Sequence, residues 1–227
     1  MLMNNVTNGK DDVLKRFVDK DTDELSEFSP MDPPDAFNPP SIKPIAVDDL
    51  APALKHLVLE HRDIVLRLDA FELAIMSVRS EGISKETNQQ LSSFFQYLDD
   101  CVVAHQLKEE RIVFPILHDR LIDIGEHLPG EVRETAVDML EHDHSKTMQL
   151  ATLCFSLLGV ASRLNDAVSR AVVVDAAVDQ GIALVELMRL HMFREDNVVF
   201  ALAQEHLTAA DHERMTLLLD KYFSIAL

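Results

Sequence analysis

From Asp48 onward, apolar residues recur every three or four positions, the spacing of one buried helix face. The pattern predicts five helices. The first covers about residues 47–80, with Leu54, Leu57, Val58, Ile64, Val65, Leu68 and Phe71 as its apolar stripe. Asp48 or Asp49 can cap it, Pro52 suits its first turn and Gly82 ends it. The second runs over about residues 84–124, with Pro115 as a kink or break. The third covers about 129–164 and the fourth about 166–206. Thr208-Ala-Ala-Asp211 has the form of a capping box and opens a shorter fifth. Long helices joined by short loops place neighbours antiparallel. The expected fold is therefore all-α: an antiparallel up-down-up-down four-helix bundle over residues 47–227, with the fifth helix as an extra C-terminal cover.

Residues 1–46 read differently. Six of the nine prolines lie here, behind a run of acids over 19–27. Such a stretch builds no core by itself. It is expected to be an extended N-terminal arm with a short helix near 13–18.

Composition narrows the function. Only 6 glycines and no tryptophan occur in 227 residues, which leaves few turns for a many-stranded sheet. With 21 basic against 39 acidic residues the net charge is −18. A surface that acidic repels phosphate backbones and anionic headgroups, so neither nucleic acid nor membrane is an expected partner. It attracts cations. Cys101 and Cys154 cannot form a disulfide framework and read as buried core thiols. The first 20 residues lack a signal-type apolar run, and no window approaches 18 uninterrupted apolar residues. A reducing, cytoplasmic setting is expected.

The most informative feature is an internal repeat. His105-Gln-Leu-Lys-Glu109-Glu-Arg-Ile-Val-Phe114 and His191-Met-Phe-Arg-Glu195-Asp-Asn-Val-Val-Phe200 share the pattern H-x-x-[KR]-E-[ED]-x-[IV]-V-F. A His and a Glu four residues apart lie on one helix face. In both helices that face continues the apolar stripe, through Leu98, Cys101, Val102, Ile112 and Ile116 in one and Leu184, Leu187, Val198 and Leu202 in the other.

The first and third helices should then form the other repeated pair. Aligning His61 with His144 also aligns Leu54 with Val137, Leu57 with Leu140, Val65 with Met148, Leu68 with Ala151 and Phe71 with Cys154, every pair apolar. Aligning His61 with His142 instead sets Asp138, Lys146 and Gln149 against core positions. His144 therefore points inward, and His61 is preferred to His56 on the same ground.

The result is four inward histidines, His61, His105, His144 and His191, and two inward glutamates, Glu109 and Glu195. A buried carboxylate costs several kcal/mol unless it is paired or bound to metal. No Lys or Arg lies on these stripes, so metal is the expected partner. Imidazole with carboxylate suits iron, manganese or zinc, and the absence of thiolate argues against a soft-metal site. Two carboxylates can bridge two ions, leaving two histidines for each. With a bridging oxo or hydroxo oxygen, that describes a dinuclear iron site with a position open on each ion. Manganese suits the same donors. Glu110 and Asp196 are expected to face outward or to support the ligands, and Phe114 and Phe200 to lie in the core.

Over about residues 48–206 these motifs resemble the hemerythrin family, the HHE cation-binding domain. His105-x-x-Lys-Glu109-Glu110-x-x-Val-Phe114-Pro115 is similar to the family signature H-x-x-x-E-E-x-x-x-F-P, and 191–200 resembles its second copy. The resemblance implies that His61, His105, His144 and His191 are terminal ligands and that Glu109 and Glu195 are bridges. The oxygen-carrying members have a fifth histidine on the third helix. Here the places four before and four after His144 are Leu140 and Met148. His142 is the remaining candidate for a fifth ligand. A two-plus-two set leaves room on both ions for a small molecule: oxygen, peroxide or nitric oxide. The alternatives are an iron or oxygen sensor without turnover, or a stress protein like those that repair iron–sulfur clusters. The latter carry an N-terminal module with paired cysteines, and residues 1–47 contain none. An ordered Pro-rich arm would fit a homodimer.

Overall fold

The computed structural model describes residues 45–129 and 132–223. The expected arm over 1–46, with its short helix, lies outside these except for Ile45 and Ala46. Among the described residues there is no strand. Five helices follow in order: α1 (Pro52–Glu81), α2 (85–124), α3 (Ala136–Ala161), α4 (167–206) and α5 (Ala209–Phe223). Helix α1 packs against α2 and α4, and α3 packs against α2 and α4, which closes the four-helix ring. Helix α5 covers α1 and the middle of α2, where Met215 and Leu219 are buried.

Helix ends follow local chemistry. A 3₁₀ turn at Val47–Asp49 precedes α1, so the helix starts at Pro52 rather than at 47. Neither aspartate caps it. Asp48 pairs with Lys55 at 2.7 Å, and the Ala51 N–H donates to Gln204 Oε1 at 2.7 Å. Gly82 ends α1 with φ 83°, a conformation that disfavours a side chain. Helix α3 begins at Ala136, not at 129. Thr135 caps it: its hydroxyl accepts from the Val137 N–H, and Asp138 accepts from the Thr135 N–H at 2.7 Å.

Helices α2 and α4 are not regular. Helix α2 contains π turns at Leu98–Val102 and Glu109–Val113, and α4 contains one at Glu195–Val199. In the last two, the Phe114 N–H donates to the Glu109 carbonyl and the Phe200 N–H to the Glu195 carbonyl. Pro115 follows the first without breaking the helix, yet the second occurs with Ala201 at the matching place. Proline is therefore not the cause of the turn, which belongs to the repeat. Each π turn adds a residue and shifts the buried stripe by one. That explains two departures from the straight-helix reading. Cys101 is exposed while Leu98 and Val102 are buried, and Leu117 rather than Ile116 is fully buried. Cys154 is buried as expected, and burial pushes its thiol up to about 12.

The core is divided. One apolar cluster includes Leu54, Leu57, Phe114, Leu121, Leu140 and Phe200. The other includes Ile64, Leu68, Phe71, Phe94, Cys154 and Leu184. Each fully buried side chain of this size contributes about 1.5–3 kcal/mol. Along every bundle helix a polar layer falls between the two clusters.

The second cluster is tightest at Gly181 of α4. A Cβ there would lie 2.9 Å from Ile75 Cγ1 and 3.4 Å from both Cys154 Sγ and Phe71 Cζ. Helix propensity favours alanine by about 1 kcal/mol, but overpacking costs roughly 1–3 kcal/mol. Gly181→Ala should therefore lower the thermal midpoint without changing bound metal. A raised midpoint in calorimetry would show that the cluster is looser than these distances imply.

Candidate metal centre

The polar layer consists of His61 on α1, His105 and Glu109 on α2, His144 on α3, and His191 and Glu195 on α4. None is more than 6% exposed, and both glutamates are at 0%. The structure brings all six expected residues together. His61, His105, Glu109 and Glu195 form one group, and Glu109, His144, His191 and Glu195 form the other. Within each group the ligand-type atoms lie within 4.8 Å of one another. Both glutamates belong to both groups.

The imidazoles are aimed from behind. Nδ1–H of His61 donates to Asp196 at 2.7 Å, that of His105 to Glu60 at 2.9 Å, and that of His144 to Glu110 at 2.8 Å. Asp143 lies 3.6 Å from His191 Nδ1. The supporting carboxylates of His61 and His144 come from the opposite half of the repeat. So do the rings beneath them: Phe200 stacks on His61 at 5.8 Å and Phe114 on His144 at 5.7 Å. The repeated acid and the repeated phenylalanine thus each serve the other half's lone histidine.

A proton on Nδ1 leaves the lone pair on Nε2 facing the centre. There, Nε2 of His61 and His105 are 2.9 Å apart, and those of His144 and His191 are 3.0 Å apart. Two nitrogens about 2.1 Å from one ion and at right angles would be separated by about 3.0 Å. Carboxylate oxygens complete the ring. Glu109 Oε1 is 3.0 Å from His105 Nε2 and Oε2 is 3.4 Å from His144 Nε2, while Glu195 Oε2 is 3.2 Å from His61 Nε2 and 3.3 Å from His191 Nε2. These approaches lack hydrogen-bond direction, and all four glutamate oxygens are buried without a donor. Buried acceptors are normally satisfied. The donor set fits cations placed between Glu109 and Glu195.

Charges respond to the same crowding. Burial opposes charge on His61 and His144, but nearby carboxylates outweigh it. Asp196, Glu109 and Glu195 raise His61 well above the ordinary histidine range, and Glu109, Glu195 and Glu110 raise His144 to about 9. Burial would raise Glu109, yet His105, His144 and His61 hold it well below the usual carboxylate range.

The sequence of this chain matches the family model described as the hemerythrin HHE cation-binding domain, over residues 52–203. The chain belongs to the hemerythrin family. No curated protein and no solved structure matches it. The hemerythrin match covers α1 to α4 up to Ala203 and so spans all six residues of the layer. A cation-binding centre follows from the family, and the buried His/Glu groups are where it would lie.

Other histidines stay out of the layer. His142 is exposed and supplies no fifth ligand, while His56, His118, His127, His206 and His212 are half-buried. His142→Ala should therefore keep full metal content, whereas His144→Ala should lose about one ion per chain by elemental analysis. The reverse result would place the wrong histidine inside. Sequence reasoning assigned no supporting role to Glu60 and Asp143, although each directly precedes an inward histidine. It also passed over Lys108 and Arg194, the basic position of the repeat itself.

Proposed function

We propose that His61, His105, His144 and His191, with Glu109 and Glu195 as bridges, hold two iron ions, and that this centre binds or reacts with a small oxidant: oxygen, peroxide or nitric oxide. The observation that carries this reading is the closed layer of six donors shared between two overlapping groups. Bound iron would supply electrons and Lewis acidity at the layer. The chain's own residues do the rest. Four imidazoles and two carboxylates give each ion four protein donors, with no fifth histidine among the described residues. Four protein donors would leave each ion short of a full coordination shell, so a small ligand could bind there. Glu60, Glu110 and Asp196 hold three of the imidazoles in register by hydrogen bonds, and Asp143 faces the fourth. The apolar clusters above and below exclude bulk water and side reactions.

Burial also sets the size of what can react. A groove of about 520 Å³ reaches His61 and Asp196 from outside, walled by Val47, Leu50, Val58 and Leu66. With His61 itself only 2% exposed, a diatomic molecule or a peroxide suits such an approach and a large substrate does not. A cavity of about 920 Å³ at the far end of the bundle is lined by Arg79 and Asp175, which pair with each other, and touches none of the six. No described helix is long and apolar enough to cross a membrane, and both cysteines are free. A cytoplasmic setting is part of this reading.

The test is rapid mixing of anaerobic, ferrous-loaded protein with oxygen, peroxide or nitric oxide. At least one should give an optical change, from ligand binding or from loss of ferrous iron, that is absent in Glu109→Ala. Inertness toward all three would overturn the reactive reading while leaving metal binding intact.

A further inference from the structure

Lys108 is a buried lysine that the proposed centre does not use. It is 7% exposed, and its Nζ donates to Glu60 Oε1. The other oxygen of Glu60 accepts from His105 Nδ1 at 2.9 Å. His56 Nε2 lies 3.2 Å from Glu60 Oε1 as well. The second half repeats this chain of groups. Arg194 Nη1 donates to Asp143 Oδ2 at 3.1 Å, and that oxygen faces His191 Nδ1 at 3.6 Å, an ion-pair distance in place of the hydrogen bond that His105 makes. Lys108 and Arg194 occupy the same place in the repeat, three residues after the histidine whose carboxylate they hold.

We propose that Lys108 and Arg194 are positioning residues for the metal centre, each clamping the carboxylate that orients the histidine three positions before it. The inference rests on the metal reading above. Burying a lysine is costly unless it is well paired, and simple strapping of helices does not require it. Arg79 with Asp175 and Asp179, and Arg189 with Asp69 and Glu72, join α1 to α4 through side chains far more open to solvent than Lys108. The clamps also divide the imidazoles by kind. His105 and His191 are backed by carboxylates neutralised by a cation. His61 and His144 are backed by Asp196 and Glu110, which are 33% and 38% exposed and have no basic partner among the described residues. Each ion would thus receive one histidine of each kind.

A carboxylate freed from its clamp can rotate away from Nδ1, and the imidazole then loses its fixed tautomer and aim. Loss of such support costs roughly 10–100-fold in metal affinity. The test loads protein with ferrous iron under anaerobic conditions and challenges it with a chromogenic ferrous chelator. Lys108→Met and Arg194→Met should each release iron about tenfold faster than wild type, and Lys108→Arg should restore the slow rate. Arg79→Met, which breaks a strap of the ordinary kind, should release iron at the wild-type rate even if its thermal midpoint falls. Arg194→Met carries the test alone if Lys108→Met does not fold. Unchanged release in the clamp variants, or equal acceleration in Arg79→Met, would overturn the proposal while wild type still holds iron. Wild type that takes up no iron would overturn the metal reading itself.

Discussion

Glu109→Ala should cost the protein both of its ions, not one. The carboxylate belongs to both four-residue groups, so its loss cannot be confined to a single site. Two divalent ions held side by side would repel each other strongly, and each buried carboxylate between them would offset part of that repulsion. Removing one takes away that offset and a donor from both groups at once. Glu195→Ala should behave identically, because Glu195 is equally buried and its oxygens are equally without donors. His61→Ala should be milder, since His61 belongs to one group only. Elemental analysis of desalted protein reads all three. Retention of one ion per chain by Glu109→Ala would show that the carboxylates do not bridge.

Metal removal should have the second large effect. The layer cuts the core in two, and its six groups meet one another through polar contacts. A ligand that binds the folded chain alone stabilises it by about 4 kcal/mol when present at a thousandfold excess over its dissociation constant. Each kcal/mol moves the midpoint of a domain this size by about 2–4 °C, so two ions are worth roughly 15–30 °C. Calorimetry before and after chelation reads the shift directly. Coincident midpoints would mean that the layer is stable on its own charges. The expected shift should shrink by about half in His144→Ala and vanish in Glu109→Ala.

The sequence made the bundle and the six inward residues legible because both are periodic. Apolar spacing locates the helices, and the repeat marks His105, Glu109, His191 and Glu195. Stripe matching separates His144 from His142, and the structure buries the first and exposes the second. What escaped was information that periodicity does not carry. The π turns leave no clear mark in the sequence, yet they shift the register that decides whether Cys101 faces in or out. Helix α3 starts at Ala136 rather than at about 129, because Thr135 and Asp138 form its cap. The supporting carboxylates join helices far apart in the chain, as His61 and Asp196 do across 135 residues. Lys108 and Arg194 were visible in the repeat but unread, since their partners lie on other helices.

The measurement that tests the account most directly is bound metal per wild-type chain, by elemental analysis after anaerobic ferrous loading and desalting. The geometry of the six residues predicts close to two irons per chain. No retained metal under those conditions would contradict the central claim, and the His/Glu layer would then be held together by its own protons and charges.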